Sequence, residues 1–163
     1  MLKVLLNKEN NKGFSLIELL LVIAIMGLIV TAASYLFVSG YNFYNQNKEK
    51  TKIQSEVRFI TQYIDERVKF TENITLQTSA PTSISANEVG MGVENNIFYV
   101  YESTGKRQLS DVNIQSINFN YNNDNLSYSI ITEDGDFQVD TKVILNNKPD
   151  STNNNGNYII VDK

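Results

Sequence analysis

Residues 14–38, FSLIELLLVIAIMGLIVTAASYLFV, form an apolar run holding a single charged side chain, Glu18. About 20 apolar residues suffice for a helix to cross a bilayer, so this segment is long enough to span. A carboxylate at hydrocarbon depth costs roughly 2.5–3.5 kcal/mol on insertion scales. Its presence near the start of the run calls for a function and for an opposite charge to meet it. Ahead of the run, MLKVLLNKENNKG places Lys3, Lys8 and Lys12 against Glu9, a basic excess that holds this end on the cytoplasmic side. Lys48, Lys50 and Lys52 follow the run, beyond an uncharged boundary with Tyr35, Phe37, Tyr41, Phe43 and Tyr44, aromatic side chains suited to headgroup depth. The small residues TAAS at 31–34 are not read as a secretory cleavage site, because the apolar run resumes with YLFV.

Composition narrows the possible chemistry. The 163-residue chain has no Cys and no His, which removes disulfides, thiolate metal sites and the commonest general base. A net charge of −4 argues against a nucleic-acid surface, which needs clustered Lys and Arg. Neither a Gly-rich phosphate loop nor a nucleophile elbow is present, so the chain is read as no enzyme, with no catalytic residues and no cofactor. EDGDFQVD offers Asp134, Asp136 and Asp140 as calcium candidates. It lacks the spacing of a helix-loop-helix calcium site, and Asp-Gly is first a hairpin turn, so no metal is assigned. The sequons at Asn73 and Asn125 are of a kind that arises by chance in an Asn-rich chain.

Beyond the boundary, Ile53, Val57, Ile60, Ile64 and Val68 recur at steps of four, three, four and four, one face of an amphipathic helix. Lys48, Glu49, Lys52, Glu56, Asp65, Glu66 and Lys69 form its solvated side. No Pro interrupts 14–70, which predicts one helix of about 85 Å at 1.5 Å per residue, with an exit at 71–73. TLQTSAPTSISANEVGMG (75–92) reads as a connecting loop with room for a short strand. Strands are expected at 96–102, 107–112, 114–121, 126–132, 137–145 and 158–162, separated by STGK, NNDN, EDGD and the polar loop NNKPDSTNNNGN. The slip in alternation near Ser116 predicts a bulge. Tyr99, Tyr101, Tyr121 and Tyr128 serve either core packing or an adhesive face. The expected class is α+β: one long N-terminal helix, half membrane span and half amphipathic, packed on an antiparallel β-meander.

KGFSLIELLLVIAIMGLI, from Lys12 onward, resembles the N-terminus of type IV prepilins and pseudopilins: a short basic leader ending in Gly, then Phe, a few apolar residues, Glu and a long apolar helix. The resemblance implies a pilin-like fold and cleavage between Gly13 and Phe14 by a prepilin peptidase, with methylation of the new amino terminus at Phe14. It divides the chain into a leader (1–13), a transmembrane and filament-core helix (14–39) and a segment holding the amphipathic helix and β-sheet head (40–163). It implies that Glu18 pairs with the N-terminal ammonium of a neighbouring subunit, and that Gly27 matches a glycine that loosens the helix in filaments. Tyr35 stands where many of these proteins carry a proline. Ala24, Gly27, Thr31, Ala32, Ala33 and Ser34 allow close helix approach. ITQYIDERVKFTENI (60–74) resembles the corresponding helix of minor pseudopilins. The implied partners are other pilin or pseudopilin subunits, the peptidase and methylase, and the cytoplasmic membrane before assembly. The implied location is a single-pass membrane protein with an extracytoplasmic head, passing to a surface filament. Pilus, type II secretion and competence machines all fit, and a minor subunit is the reading preferred. The alternative is a membrane-anchored extracellular binding module outside any filament.

Overall fold

The computed structural model describes residues 13–122, 125–133, 135, 137–147, 150–151 and 153–162. Residues 1–12, 123–124, 148–149, Asp134, Asp136, Thr152 and Lys163 lie outside the described residues. The chain forms two compact units, Met1–Asn47 and Lys48–Lys163. Helix α1 (Leu16–Val68) holds 53 residues, beginning two residues later and ending two earlier than the uninterrupted run suggests.

In the first unit every described residue is exposed, and the helix is apolar on all sides from Leu16 to Val38 apart from Glu18 and a few small polar side chains. Such a helix needs cover that its own unit does not supply, and it is long and apolar enough to cross a membrane. Two of its hydroxyls are satisfied within the helix: Thr31 Oγ1 lies 2.9 Å from both Gly27 O and Leu28 O, and Ser34 Oγ donates to Val30 O at 2.8 Å. In hydrocarbon an unsatisfied hydroxyl is costly, so these bonds suit a lipid setting.

The second unit is a helix packed on two sheets. Val57, Ile60, Ile64 and Val68 are buried, with Ile53 and Tyr63 packed at the margin, the stripe that the spacing predicts. The strands are β1 (Asn73–Gln77), β2 (Glu88–Glu94), β3 (Ile97–Glu102), β4 (Gly105–Gln108), β5 (Ile114–Asn122), β6 (Asn125–Thr132), β7 (Gln138–Ile144), β8 (Asp150–Ser151), β9 (Asn155–Gly156) and β10 (Tyr158–Asp162). The helix-on-antiparallel-sheet arrangement is the expected α+β, pilin-like one, but the strands do not form one meander. One sheet runs β4-β3-β2-β10-β1-β8 and the other β7-β6-β5-β9. All pairings are antiparallel except β1 with β8.

The departure from a meander has a packing cause. In β10, Ile159 and Val161 join the core shared with α1, while Tyr158 and Ile160 are buried on the opposite face. A strand buried on both faces belongs inside a sheet rather than at its edge, and β10 pairs with both β1 and β2. The cover on the far face comes from residues 78–87, part of the stretch expected to be a connecting loop. A Cβ on Gly90 would lie 3.1 Å from Ile84 Cδ1 and 3.3 Å from Pro81 Cγ, and one on Gly92 would overlap the Tyr158 ring. The two glycines therefore let a loop and an aromatic ring lie directly on strand β2.

Other differences are local. Residues 109–112 leave the expected strand because Ser110, buried, turns the chain: its Oγ accepts from Val112 N at 3.1 Å and donates to Val112 O at 3.0 Å. Asn95 and Asn96, both at positive φ (52° and 64°), make a two-residue turn joining β2 to β3, a conformation that Asn tolerates. The register shift between Ile114 and Ser116 is the expected bulge. The helix exit is fixed by Thr71, whose Oγ1 donates to Asn73 O at 2.8 Å and accepts from Asp162 N at 3.1 Å. Between the sheets, the Glu133 carboxylate accepts from Asn96 Nδ2 at 3.1 Å and from Asn113 Nδ2. The polar loop after β7 contains β8 and β9 and is pinned by amides: Asn147 Nδ2 donates to Phe70 O, Asn153 Nδ2 to Leu76 O, and Asn157 N to Gln77 O.

Tyr128 of β6 ties the second sheet to α1, its Oη donating to Asp65 Oδ1 at 2.6 Å. Burial, reinforced by the Asp65 carboxylate, pushes this phenol well above its ordinary range, and burial raises Tyr101 and Tyr158 as well. A raised folded pKa means that the folded state holds its proton more tightly than the unfolded state. The resulting stability is present below pH about 10, where unfolded tyrosine ionises, and is lost as pH rises from there toward the folded value. A chain beginning at Asn45, which lacks the apolar span, is expected to be soluble and to lose urea resistance above pH about 10. Tyr128→Phe in that chain should be less stable at pH 7 by about 1–2 kcal/mol yet show a shallower alkaline decline. Urea titrations at pH 7 and 11 check this, and an unchanged alkaline slope would contradict it.

Candidate functional site

The residues singled out by the motif converge on the start of α1. The helix begins at Leu16, and the Ser15 carbonyl accepts from Glu18 N at 3.0 Å and Leu19 N at 3.2 Å. Ser15 is thus the N-cap residue. Gly13 and Phe14 precede the helix, and both are exposed, Phe14 at 78%. Glu18 stands in the exposed first turn, where the unpaired N–H groups and the helix dipole favour a negative side chain. It is four residues beyond Phe14 in sequence, and Phe14 itself lies before the helix. Gly13 and Phe14 thus lie just ahead of the helix whose first turn carries Glu18.

Ser15 is the residue that the sequence reading passes over. Its sequence context matches the S-x-x-E pattern of a capping box, but the Glu18 N–H donates to the Ser15 carbonyl. The flanking Gly-Phe junction and the charge on Glu18 draw attention away from it.

Gly27 lies farther along α1, in unbroken helix, with open space where a Cβ would stand. Its carbonyl takes the Thr31 hydroxyl. The helix continues through Tyr35 without interruption. Ala24, Gly27, Thr31 and Ser34 fall at steps of three, four and three, a low ridge on one helix face.

In the head, Asp140 sits on β7 with both carboxylate oxygens near Gln138 Nε2, at 3.1 and 3.3 Å. Asp134 and Asp136, the other calcium candidates, lie outside the described residues. Among the described residues no group of three or more metal-ligating side chains assembles. Of the four tyrosines considered for an adhesive face, Tyr101 and Tyr128 are buried, and Tyr99 and Tyr121 are half-buried. Asn73 of the first sequon donates to Asp162 Oδ2 at 2.7 Å.

The strongest polar cluster of the head lies on the β2–β3–β4 side. Lys106 Nζ is 2.7 Å from Glu94 Oε2, and Tyr101 Oη donates to the same oxygen at 3.0 Å. The Lys106 ammonium, then the Tyr101 hydroxyl, hold Glu94 below the usual carboxylate range. These groups line a hollow of about 350 Å³ together with Pro81 and Ile84. The pair is open to solvent, so it links the end of β2 to the edge strand β4 with little gain in stability.

Residues 8–34 match the family model of the prokaryotic N-terminal methylation motif. No curated protein and no solved structure matches the chain. The match ends before the head, so the head's fold rests on its own packing. The matched segment contains the cap, the exposed Gly13–Phe14 bond, Glu18 and Gly27. Over residues 8–34 the chain carries the signature of type IV prepilins and pseudopilins, a motif of structural rather than catalytic proteins that implies processing by a prepilin peptidase and assembly with other pilin subunits.

Proposed function

We propose that the chain is a structural subunit, used in few copies, of a type IV pilus or related pseudopilus. On this reading 1–13 is a leader removed between Gly13 and Phe14, 14–39 is first a membrane span and then part of a filament core, and 40–163 carries the head outside the cytoplasmic membrane. Phe14 becomes the N-methylated terminus. The observation that carries the reading is the motif at 8–34 falling on a helix that starts just beyond the Gly13–Phe14 bond.

Cleavage creates an ammonium at Phe14, four residues before Glu18. Within one subunit the two charges can meet. Where helices pack side by side with an axial offset, Glu18 exchanges that partner for the ammonium of its neighbour, and the pair fixes the register. A polar pair in an apolar interface commonly acts in this way, contributing specificity more than stability. Gly27 and the small residues around it offer the face along which neighbouring helices approach.

The small copy number is supported by how the C-terminal segment is secured. With no Cys, no disulfide closes it; the loop after β7 is held by the short pairings of β8 and β9 and by bonds from Asn147, Asn153 and Asn157, before β10 enters the first sheet. A disulfide commonly contributes about 2–4 kcal/mol, more than any one of these bonds, and a subunit tiling a sheared filament has the greater need of it.

Three outcomes follow. Gly13→Val should abolish leader removal, read by N-terminal sequencing, because a branched side chain does not fit a site that accepts glycine. Mature chain starting at Phe14 in that variant would remove the prepilin reading in favour of an anchored binding module. Glu18→Val should insert into membranes as well as the native chain or better, having lost a costly carboxylate, while its incorporation into filaments falls at least tenfold. Undiminished incorporation would leave Glu18 as an ordinary headgroup-depth residue. Quantitative mass spectrometry of sheared filaments should find this chain well below the most abundant pilin, and the reverse ranking would make it the major subunit.

A further inference from the structure

We propose that strand β7 is a self-docking edge: the heads of two copies of this chain pair through it, antiparallel about a two-fold axis at Thr141. The inference goes beyond the filament reading and does not depend on it.

β7 (Gln138–Ile144) ends the second sheet, and among the described residues it pairs with β6 alone. Every second residue along it therefore turns its N–H and C=O away from β6, a template for one more strand. The other sheet ends are of a different kind. β8 and β9 hold two residues each, and β4 carries Lys106 and Arg107 with no acid between its ends, so a second copy of β4 is repelled.

The side chains of β7 choose its partner. Gln138, Asp140, Lys142 and Ile144 lie on the exposed face, and Val139, Thr141 and Val143 face the core side. In an antiparallel pair of copies centred on Thr141, Asp140 of each stands opposite Lys142 of the other, and Val139 opposite Val143. Opposite charges and β-branched pairs are the stabilising cross-strand combinations. Centring the pair on Asp140 or on Lys142 would set like charges opposite each other, so the strand is complementary to itself in one register. Both charges remain for such a partner. Asp140 accepts from the Gln138 amide at 3.1 and 3.3 Å, and among the described residues Lys142 meets no carboxylate. Beside the same edge, Val57, Phe137 and Val139 line a hollow of about 310 Å³ between α1 and β7, where the core is incompletely covered. Val143 of the second copy, opposite Val139, extends the apolar face past that margin. A single strand pair is small by the standard of stable complexes, so the association is reversible.

The chain has no Cys of its own, so disulfide trapping reads the register directly. Full-length Asp140→Cys and Lys142→Cys chains in detergent micelles are mildly oxidised, each alone and as an equal mixture, and linked dimer is followed on non-reducing gels. Both positions are exposed, so the fold tolerates the changes. Residues 140 and 142 of opposite copies lie within disulfide reach, whereas two copies of residue 140 stand two positions apart, beyond the limit of about 7 Å. The mixture should therefore link roughly tenfold faster than either chain alone. In the mixed dimer one native pair remains, Lys142 of the first chain with Asp140 of the second. Adding Lys142→Asp to the first chain sets two carboxylates opposite each other and should slow linking about fivefold, and adding Asp140→Lys to the second should restore it. Equal rates alone and mixed, as random collision or association through the apolar span would give, overturn the proposal. Linking that ignores the charge reversal overturns it as well, because the charges would then set no register.

Discussion

Four apolar side chains on α1, Val57, Ile60, Ile64 and Val68, hold the head together, because both sheets contribute to the core they enter. Burying each stabilises by roughly 1.5–3 kcal/mol, comparable in sum to the 5–15 kcal/mol by which a domain outweighs its unfolded chain. The Asp65–Tyr128 bond fixes where along the helix the second sheet sits. The Glu133 bonds to Asn96 and Asn113 fix that sheet against the turn of the first. Apolar burial supplies the energy here, and a few polar contacts supply position.

The helix serves two solvents with one backbone. Up to the aromatic boundary its side chains are apolar on every side, and beyond it the pattern narrows to a stripe with charged flanks. Each half needs its own cover, an apolar surrounding for one and sheet for the other. Glu18 is the exception in the first half, and its place in the first turn lowers its cost, since the helix N-terminus is the one part of a span that favours a carboxylate.

What could be read in the sequence was local. The Gly-Phe junction, Glu18 and the apolar run are contiguous, so they are visible without tertiary knowledge, and the 53–68 stripe follows from helix geometry. The slip in alternation within β5 exposed the bulge at Ser116. Strand β2, EVGMGVE, was hidden because its two glycines read as loop punctuation, whereas they are glycine because Tyr158 and the 78–87 loop press on them from distant parts of the chain. The division into two sheets depends on pairings between residues 66 or more apart, which no window of sequence displays. The amides pinning the loop after β7 were equally invisible, since Asn suits an open loop and a stapled one alike. Ser15 was legible but overshadowed by its neighbours.

Strand β10 gives the head a timetable. It lies between β1 and β2, yet the ribosome makes it after every other strand of the fold. Until residues 158–162 arrive, β1 and β2 have a gap between them, and each presents an open edge able to pair with the wrong partner. Closing that gap joins segments far apart along the chain, the kind of contact that forms slowly. A nascent head stays half-built until β10 emerges. During that wait, the polar loops and the charged edge strand β4 are its main protection against sticking to its neighbours.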